Sequence, residues 1–237
     1  MSDCVIALDL ETTGLNPCTD RILEIGAAKI EGGCVTDTYS VFVNVGIRIP
    51  DFIVNLTGIT DEMASSGLSL KEAMEGFLSF CGDDDILGHN ILFDYGFLRQ
   101  NAANLGLPFE KNGVDTLGIA KKFLGEFPSR SLEALCVHYH ISQEKKHRAF
   151  EDAISAYRLY ECMKREFENV SPAAFLAKPL YYKVKKQSFA TISQKRYLID
   201  LAKYHRIDLN VSLEELTKSE ASRMIDSIIS QYGRIKR

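Results

Sequence analysis

Five side chains form a chemical set: Asp9 and Glu11 in "IALDLETTGL", Asp94 in "GHNILFD", and His147 and Asp152 in "HRAFED". Asp9 and Glu11 lie two residues apart on an apolar, strand-like run. A strand alternates faces with a period of two, so both carboxylates point the same way. Like charges in a half-buried place repel one another and lose hydration. No Lys or Arg between Met1 and Asp20 compensates them. Asp94 falls in the first turn of a helix that follows a strand. His147 precedes a long helix, and Asp152 sits in that helix's first turns. In open α/β sheets such strand ends and helix beginnings converge at one crevice. Four carboxylates gathered there call for divalent cations, and all-oxygen ligation without sulfur suits Mg²⁺ or Mn²⁺ better than Zn²⁺. Two such ions roughly 4 Å apart activate a water and stabilise the leaving oxygen of a phosphodiester. Histidine, which titrates near pH 6.5 in water (roughly), suits the removal of that water's proton, and His147 is placed for it.

Taken singly, each signal has a plainer explanation. A lone Asp-x-Glu is usually a solvated pair at a strand end, and Asp94 alone is a charge favoured by a helix dipole. His89 reads as a core or turn histidine, and Asn90 as a cap of the next helix. Tyr95, Phe97 and Leu98 read as core. The order and spacing of the whole set carry the inference.

The elements that must position these groups follow from periodicity. Cys4 to Leu10 reads as the first strand, followed by a turn at "TTGLNP". "RILEIGAAKIEGGCVTDTYSVFVN" reads as two strands joined near Gly32-Gly33, a hairpin signal. "LSLKEAMEGFLSFC" has helical spacing with Ser69 as N-cap, and "DDDILGHN" is a short strand that stops at Gly88. "ILFDYGFLRQNAANLG" puts Leu92, Tyr95 and Leu98 on one helical stripe. "VDTLGIAKKFLG" and "RSLEALCVHYHI" supply a strand edge and two helices. The long helix "RAFEDAISAYRLYECMKREFE" carries Ala149, Ala153, Ala156 and Tyr160 at helical spacing. Strands first, then strands alternating with helices, predict an α/β domain with a mixed sheet over residues 1–168. Residues 169–188, with two prolines and a lysine cluster, read as a linker. A small basic helical module follows over 189–237. Its two amphipathic helices open with capping-box spacing, Thr191 with Gln194 and Thr217 with Glu220. Such short helices must pack on each other or on the main domain.

The 237 residues suffice for one full domain and an appendage, with 46% apolar and 25% charged residues, as in soluble globular proteins. No apolar run approaches the roughly 20 residues that span a membrane. No basic-then-apolar leader opens the chain. Six scattered cysteines without a CxxC pair read as reduced thiols, which points to the cytoplasm. Cys136, His138 and His140 lack a nearby fourth ligand for zinc. The net charge of −4 divides unevenly: residues 1–177 carry 15 Lys+Arg and 26 Asp+Glu, while residues 178–237 carry 13 and 6. An acidic body and a basic tail suggest two jobs.

"DLETTG", "HNILFD" and "HRAFED" together resemble the three motifs of the DEDDh family of 3′–5′ exonucleases. The resemblance covers about residues 3–168 and includes the proofreading epsilon subunit of bacterial DNA polymerase III. It implies a ribonuclease H-like fold: a three-layer α/β/α arrangement around a mixed five-stranded sheet. The superfamily's tyrosine variant has Tyr four residues before the last Asp, where this chain has Arg148. By resemblance, Asp9, Glu11 and Asp152 ligate two Mg²⁺ ions (Mn²⁺ substituting), Asp94 holds them partly through water, and His147 is the general base. Thr12 would lie near the terminal 3′-hydroxyl, and Leu15 would wedge between the last bases. Thr57, in "IVNLTGITDEM", stands where the family often has a substrate-contacting His.

The implied activity is release of nucleoside 5′-monophosphates from single-stranded 3′ ends, DNA before RNA, with a polymerase or replication partner. The alternatives are an RNA-trimming exoribonuclease and a polymerase proofreading subunit, since the catalytic positions do not distinguish a 2′-hydroxyl. A binding protein that has lost catalysis would lack one of the five groups, and none is missing.

Overall fold

The computed structural model describes residues 4–143, 147–185, 188–209, 213 and 216–235. Strand β1 (Cys4–Thr12) alternates as expected: Ile6, Leu8 and Leu10 join the core on one face, and Ala7 joins the core on the other. Asp9 and Glu11 share the face of Ala7. β2 (Ile22–Glu31) pairs antiparallel with β1, and β3 (Cys34–Phe42) pairs antiparallel with β2. Gly32 (φ 56°) and Gly33 (φ 84°) make the turn between them, a left-handed geometry that costs glycine little. β4 (Asp85–Gly88) runs parallel to β1 on its other side, and β5 (Asn112–Asp115) runs parallel to β4.

The sheet has six strands in the order β3-β2-β1-β4-β5-β6, not the five expected. The sixth, β6 (Lys178–Pro179), pairs antiparallel with β5 inside the stretch that reads as a linker. Two residues, one of them proline at a sheet edge, leave no periodic trace in a sequence. A 3-10 turn over Pro172–Phe175 precedes it and buries Phe175.

Helices α1 (Asp51–Thr57) and α2 (Asp61–Ser65) follow β3. α3 (Leu70–Cys81) and α4 (Ile91–Asn104) cover the face of Ile6 and Leu8, burying Phe77, Tyr95 and Phe97. Ser69 and Glu72 form a capping box at the start of α3, satisfying two helix-end donors. In α4 the buried stripe starts at Ile91 rather than Leu92, which is half exposed; Tyr95 and Leu98 are buried as expected. Ile91, Tyr95 and Leu98 follow the i, i+4, i+7 rule, which Leu92 does not. α5 (Thr116–Phe123), α6 (Leu132–His138) and α7 (Ala149–Phe167) cover the opposite face with Leu87, Val114, Leu135 and Leu159. The architecture is α/β/α with a mixed sheet.

The chain divides into two compact units, one of Met1–Val45 with Ile49–Val184 and one of Gly46–Arg48 with Lys185–Arg237. In the second unit α8 (Ile192–His205) and α9 (Lys218–Tyr232) pack around Leu198, Leu201, Leu216, Ala221 and Ile228. Both expected capping boxes form. Ala190 N–H donates to Leu216 O at 2.7 Å and Lys218 N–H to Ser188 O at 2.9 Å, which ties the two helix entrances together. Among the lysines that mark the basic tail, Lys186 lies outside the described residues. No helix among the described residues is long and apolar enough to cross a membrane.

Candidate active site

Small residues let α7 press onto the sheet. Gly26 on β2 lies opposite Asp9 on β1, and a Cβ on Gly26 would stand 2.1 Å from Phe150 N. Ala149, Ala153 and Ala156 are buried on the helix side, and Ala7 and Ala28 on the sheet side. A side chain at Gly26 would force the start of α7 away from the sheet. The approach places Asp152, in the first turn of α7, beside Glu11 at the end of β1. The possible ligand atoms of Glu11, His147 and Asp152 all lie within 4.8 Å of one another.

Asp94 arrives from the other helical layer. It is buried, and its Oδ1 accepts a hydrogen bond from Leu10 N–H at 3.0 Å, which pins the start of α4 to β1 between the two acids. The turn before α4 is held by neighbours rather than by its own cap. Asn90 is left-handed (φ 68°) and makes no side-chain cap bond, contrary to its expected capping part. Its N–H donates instead to Asp115 Oδ1 at 2.8 Å. His89 bridges Thr116 Oγ1 and Arg130 O, each at 2.9 Å, which is the structural part its sequence suggests.

The electrostatics answer the question raised by Asp9 and Glu11. Burial, with Asp94 and Glu11 close by, holds the Asp9 carboxyl well above the usual range. Burial and the charges of Asp152 and Glu24 push Glu11 up to about 8. Asp94 and Asp152 are raised too, mainly by burial. Arg148 and His147 offset only part of the repulsion among these four carboxylates, and divalent cations would offset the rest. The donors are carboxylate oxygens with one imidazole at the rim, a set that fits hard divalent ions. Cys136 is buried with its thiol pushed up to about 11, and the Cys136, His138, His140 trio forms no such group among the described residues.

Thr12 is buried, and its hydroxyl donates to Gly14 O at 2.7 Å. Leu15 is 84% exposed, on a loop tied by Asp20 Oδ2 accepting from Asn16 N–H at 2.8 Å. Thr57 is buried at the end of α1, where its hydroxyl donates to Ile53 O and accepts from Ile59 N–H. Those bonds tie its hydroxyl to its own helix end.

Two site neighbours escape a sequence reading. Glu24 is almost fully buried on β2, in register with Glu11. Arg148 grips it with Nη2 at 3.0 Å and Nε at 3.2 Å. The signal was a lone acid inside the apolar run "ILEIGAA".

An exonuclease family model (RNase_T) matches residues 6–160. DNA polymerase III PolC-type from Clostridium perfringens is 32% identical over 170 residues, covering 70% of this chain and 12% of the polymerase. Its counterpart from Thermotoga maritima is 39% identical over 165 residues, covering 68% and 12%. The chain therefore spans about an eighth of the length of these relatives. Among solved structures, the nuclease domain of 3′hExo, a DEDDh family member bound to rAMP, superposes with TM-score 0.62 at 16% identity. That match covers 76% of this chain and 98% of the domain. E. coli exonuclease I in complex with a dA16 oligonucleotide gives 0.63 at 19% identity, covering 74% and 42%. These two likenesses concern the fold.

Proposed function

This chain belongs to the DEDDh family of 3′–5′ exonucleases, and from that premise we propose that it removes nucleoside 5′-monophosphates from single-stranded DNA. The observation that carries the reading is the convergence of Glu11, His147 and Asp152 within one ligand-sized group, with half-buried Asp9 on the same strand face as Glu11 and with buried Asp94 bonded to the strand between them. Asp9, Glu11 and Asp152 would hold two Mg²⁺ ions, with Asp94 supporting them. Bound there, the ions supply charge neutralisation, activation of the attacking water and stabilisation of the leaving oxygen.

The chain's own residues do the rest. His147 is exposed at the rim, where its imidazole can accept the proton that the attacking water sheds. The phosphorus–oxygen bond to the penultimate 3′-oxygen then breaks, leaving a new 3′-hydroxyl and a free 5′-monophosphate. Leu15 offers an apolar tip that can separate the last two bases, and Thr12 lies at the same strand end for the terminal sugar.

DNA is favoured over RNA because the relatives of 32% and 39% identity are DNA polymerases. The same likeness supports a place at replication, with a polymerase partner, in the cytoplasm. The fold neighbour bound to rAMP keeps an RNA substrate as the second reading. End-labelled single-stranded DNA, duplex DNA and RNA of one sequence, compared under Mg²⁺, test the choice. Single-stranded DNA should be degraded fastest; RNA degraded faster than DNA overturns the preference.

A further inference from the structure

We propose that Glu24 and Arg148 act as a positioning clamp for His147, holding the imidazole where it accepts the proton. The inference rests on His147 being the proton acceptor. Glu24 is 1% exposed, and its carboxylate takes both Arg148 Nη2 (3.0 Å) and Nε (3.2 Å) in a two-pronged grip. The same carboxylate accepts the first N–H of α7, from Ala149, at 3.3 Å. The Arg148 guanidinium also lies 5.1 Å over the ring of Phe42. Arg148, the residue directly after His147, is thus fixed on three sides: by an ion pair, by an aromatic face and by the helix start that Gly26 lets onto the sheet.

His147 itself has a left-handed backbone (φ 56°), a conformation uncommon for a residue with a Cβ. On one side of it stands Arg148, locked to Glu24. On the other side stands Asp152. It lies within α7, and its Oδ2 accepts from His147 N–H at 3.2 Å.

Stability alone explains the pair poorly. A buried ion pair is often no more stabilising than apolar residues of the same volume, because both charges lose their hydration. This one also sets Glu24 directly across from Glu11, a like charge in register. Positioning accounts for both costs. Arg148's planar fork does what a lysine's single ammonium cannot.

The test uses the full chain with metal present. Arg148→Lys keeps the charge and loses the fork, and should lower kcat roughly 10- to 100-fold, the usual effect of a group displaced by about 1 Å, with KM changed little. The double variant Glu24→Met/Arg148→Met removes a neutral pair, so the net charge around Glu11 is unchanged. It should melt near the wild-type temperature and be as slow as Arg148→Lys. In a His147→Ala background neither change should lower kcat further, since the group they position is gone. A double-Met variant that is folded and as fast as wild type overturns the clamp. So does an undiminished loss in the His147→Ala background. If His147→Ala is itself as fast as wild type, it is the assignment of the proton acceptor that fails, a distinct outcome.

Discussion

Glu11→Gln should make the metal-free protein more stable, by an amount that depends on pH. In the folded chain, burial and the neighbouring carboxylates of Asp152 and Glu24 push Glu11 up to about 8, from its ordinary 4.5. A group whose pKa is raised on folding binds its proton more tightly in the folded state. Its contribution is full below pH 4.5 and is lost as pH rises through about 8. At ~1.4 kcal/mol per pKa unit the ceiling is ~5 kcal/mol, and water entering an open cleft reduces it to ~2–3 kcal/mol. In EDTA, wild type and Glu11→Gln should therefore melt at similar temperatures near pH 4.5 and separate with rising pH. At pH 8 the variant should melt higher by ~5–10 °C, given ~2–4 °C per kcal/mol at this size. Thermal unfolding followed by circular dichroism at four pH values reads the difference directly. Adding Mn²⁺ at pH 8 should raise the wild-type melting temperature and affect the variant less. A variant no more stable than wild type at pH 8 without metal would refute the picture of uncompensated charge.

Asp9→Ala and Asp152→Ala should each abolish nuclease activity while the protein stays folded by circular dichroism; activity retained in either would remove that carboxylate from the metal set. His147→Ala should lower kcat by roughly 10²- to 10⁴-fold at pH 7, with partial recovery at higher pH where hydroxide is abundant. A near-wild-type rate would mark His147 as structural. Lys195→Glu with Arg196→Glu, on α8 of the basic second unit, should raise KM for long substrates and flatten the salt dependence of binding. Cleavage of a dinucleotide should barely change, and equal effects on both substrates would assign the unit a role other than tracking phosphates.

Much of this site was legible because local patterns fixed it. The two-residue spacing of Asp9 and Glu11 on a strand dictates a shared face, and α7 begins where "HRAFED" places it. The capping boxes at Ser69, Thr191 and Thr217 form from residues three apart, with no tertiary help required. What stayed hidden depends on contacts distant in sequence. Glu24 gains its meaning only from its register with Glu11 and from Arg148, 124 positions away. Thr57's hydroxyl bonds within its own helix end, an arrangement set by the turn after α1 that its residue type does not announce. Asn90 has the right residue type for a cap, yet Asp115 from a neighbouring strand decides the turn's geometry. β6 exists only because β5 offers an open edge to two residues of otherwise featureless chain.

The polarity and metal dependence of cleavage test the central claim most directly. One single-stranded DNA oligonucleotide should be labelled at its 3′-terminal nucleotide and, separately, at its 5′ end, then incubated with and without Mg²⁺. With Mg²⁺, the 3′ label should appear at once as a free mononucleoside 5′-monophosphate, while the 5′ label passes through a ladder of strands each one nucleotide shorter. EDTA should stop both, and Mg²⁺ or Mn²⁺ in excess should restore them. Release of the 5′ label first, internal fragments, or cleavage that persists in EDTA would contradict a metal-dependent 3′–5′ exonuclease built on Asp9, Glu11, Asp94, His147 and Asp152.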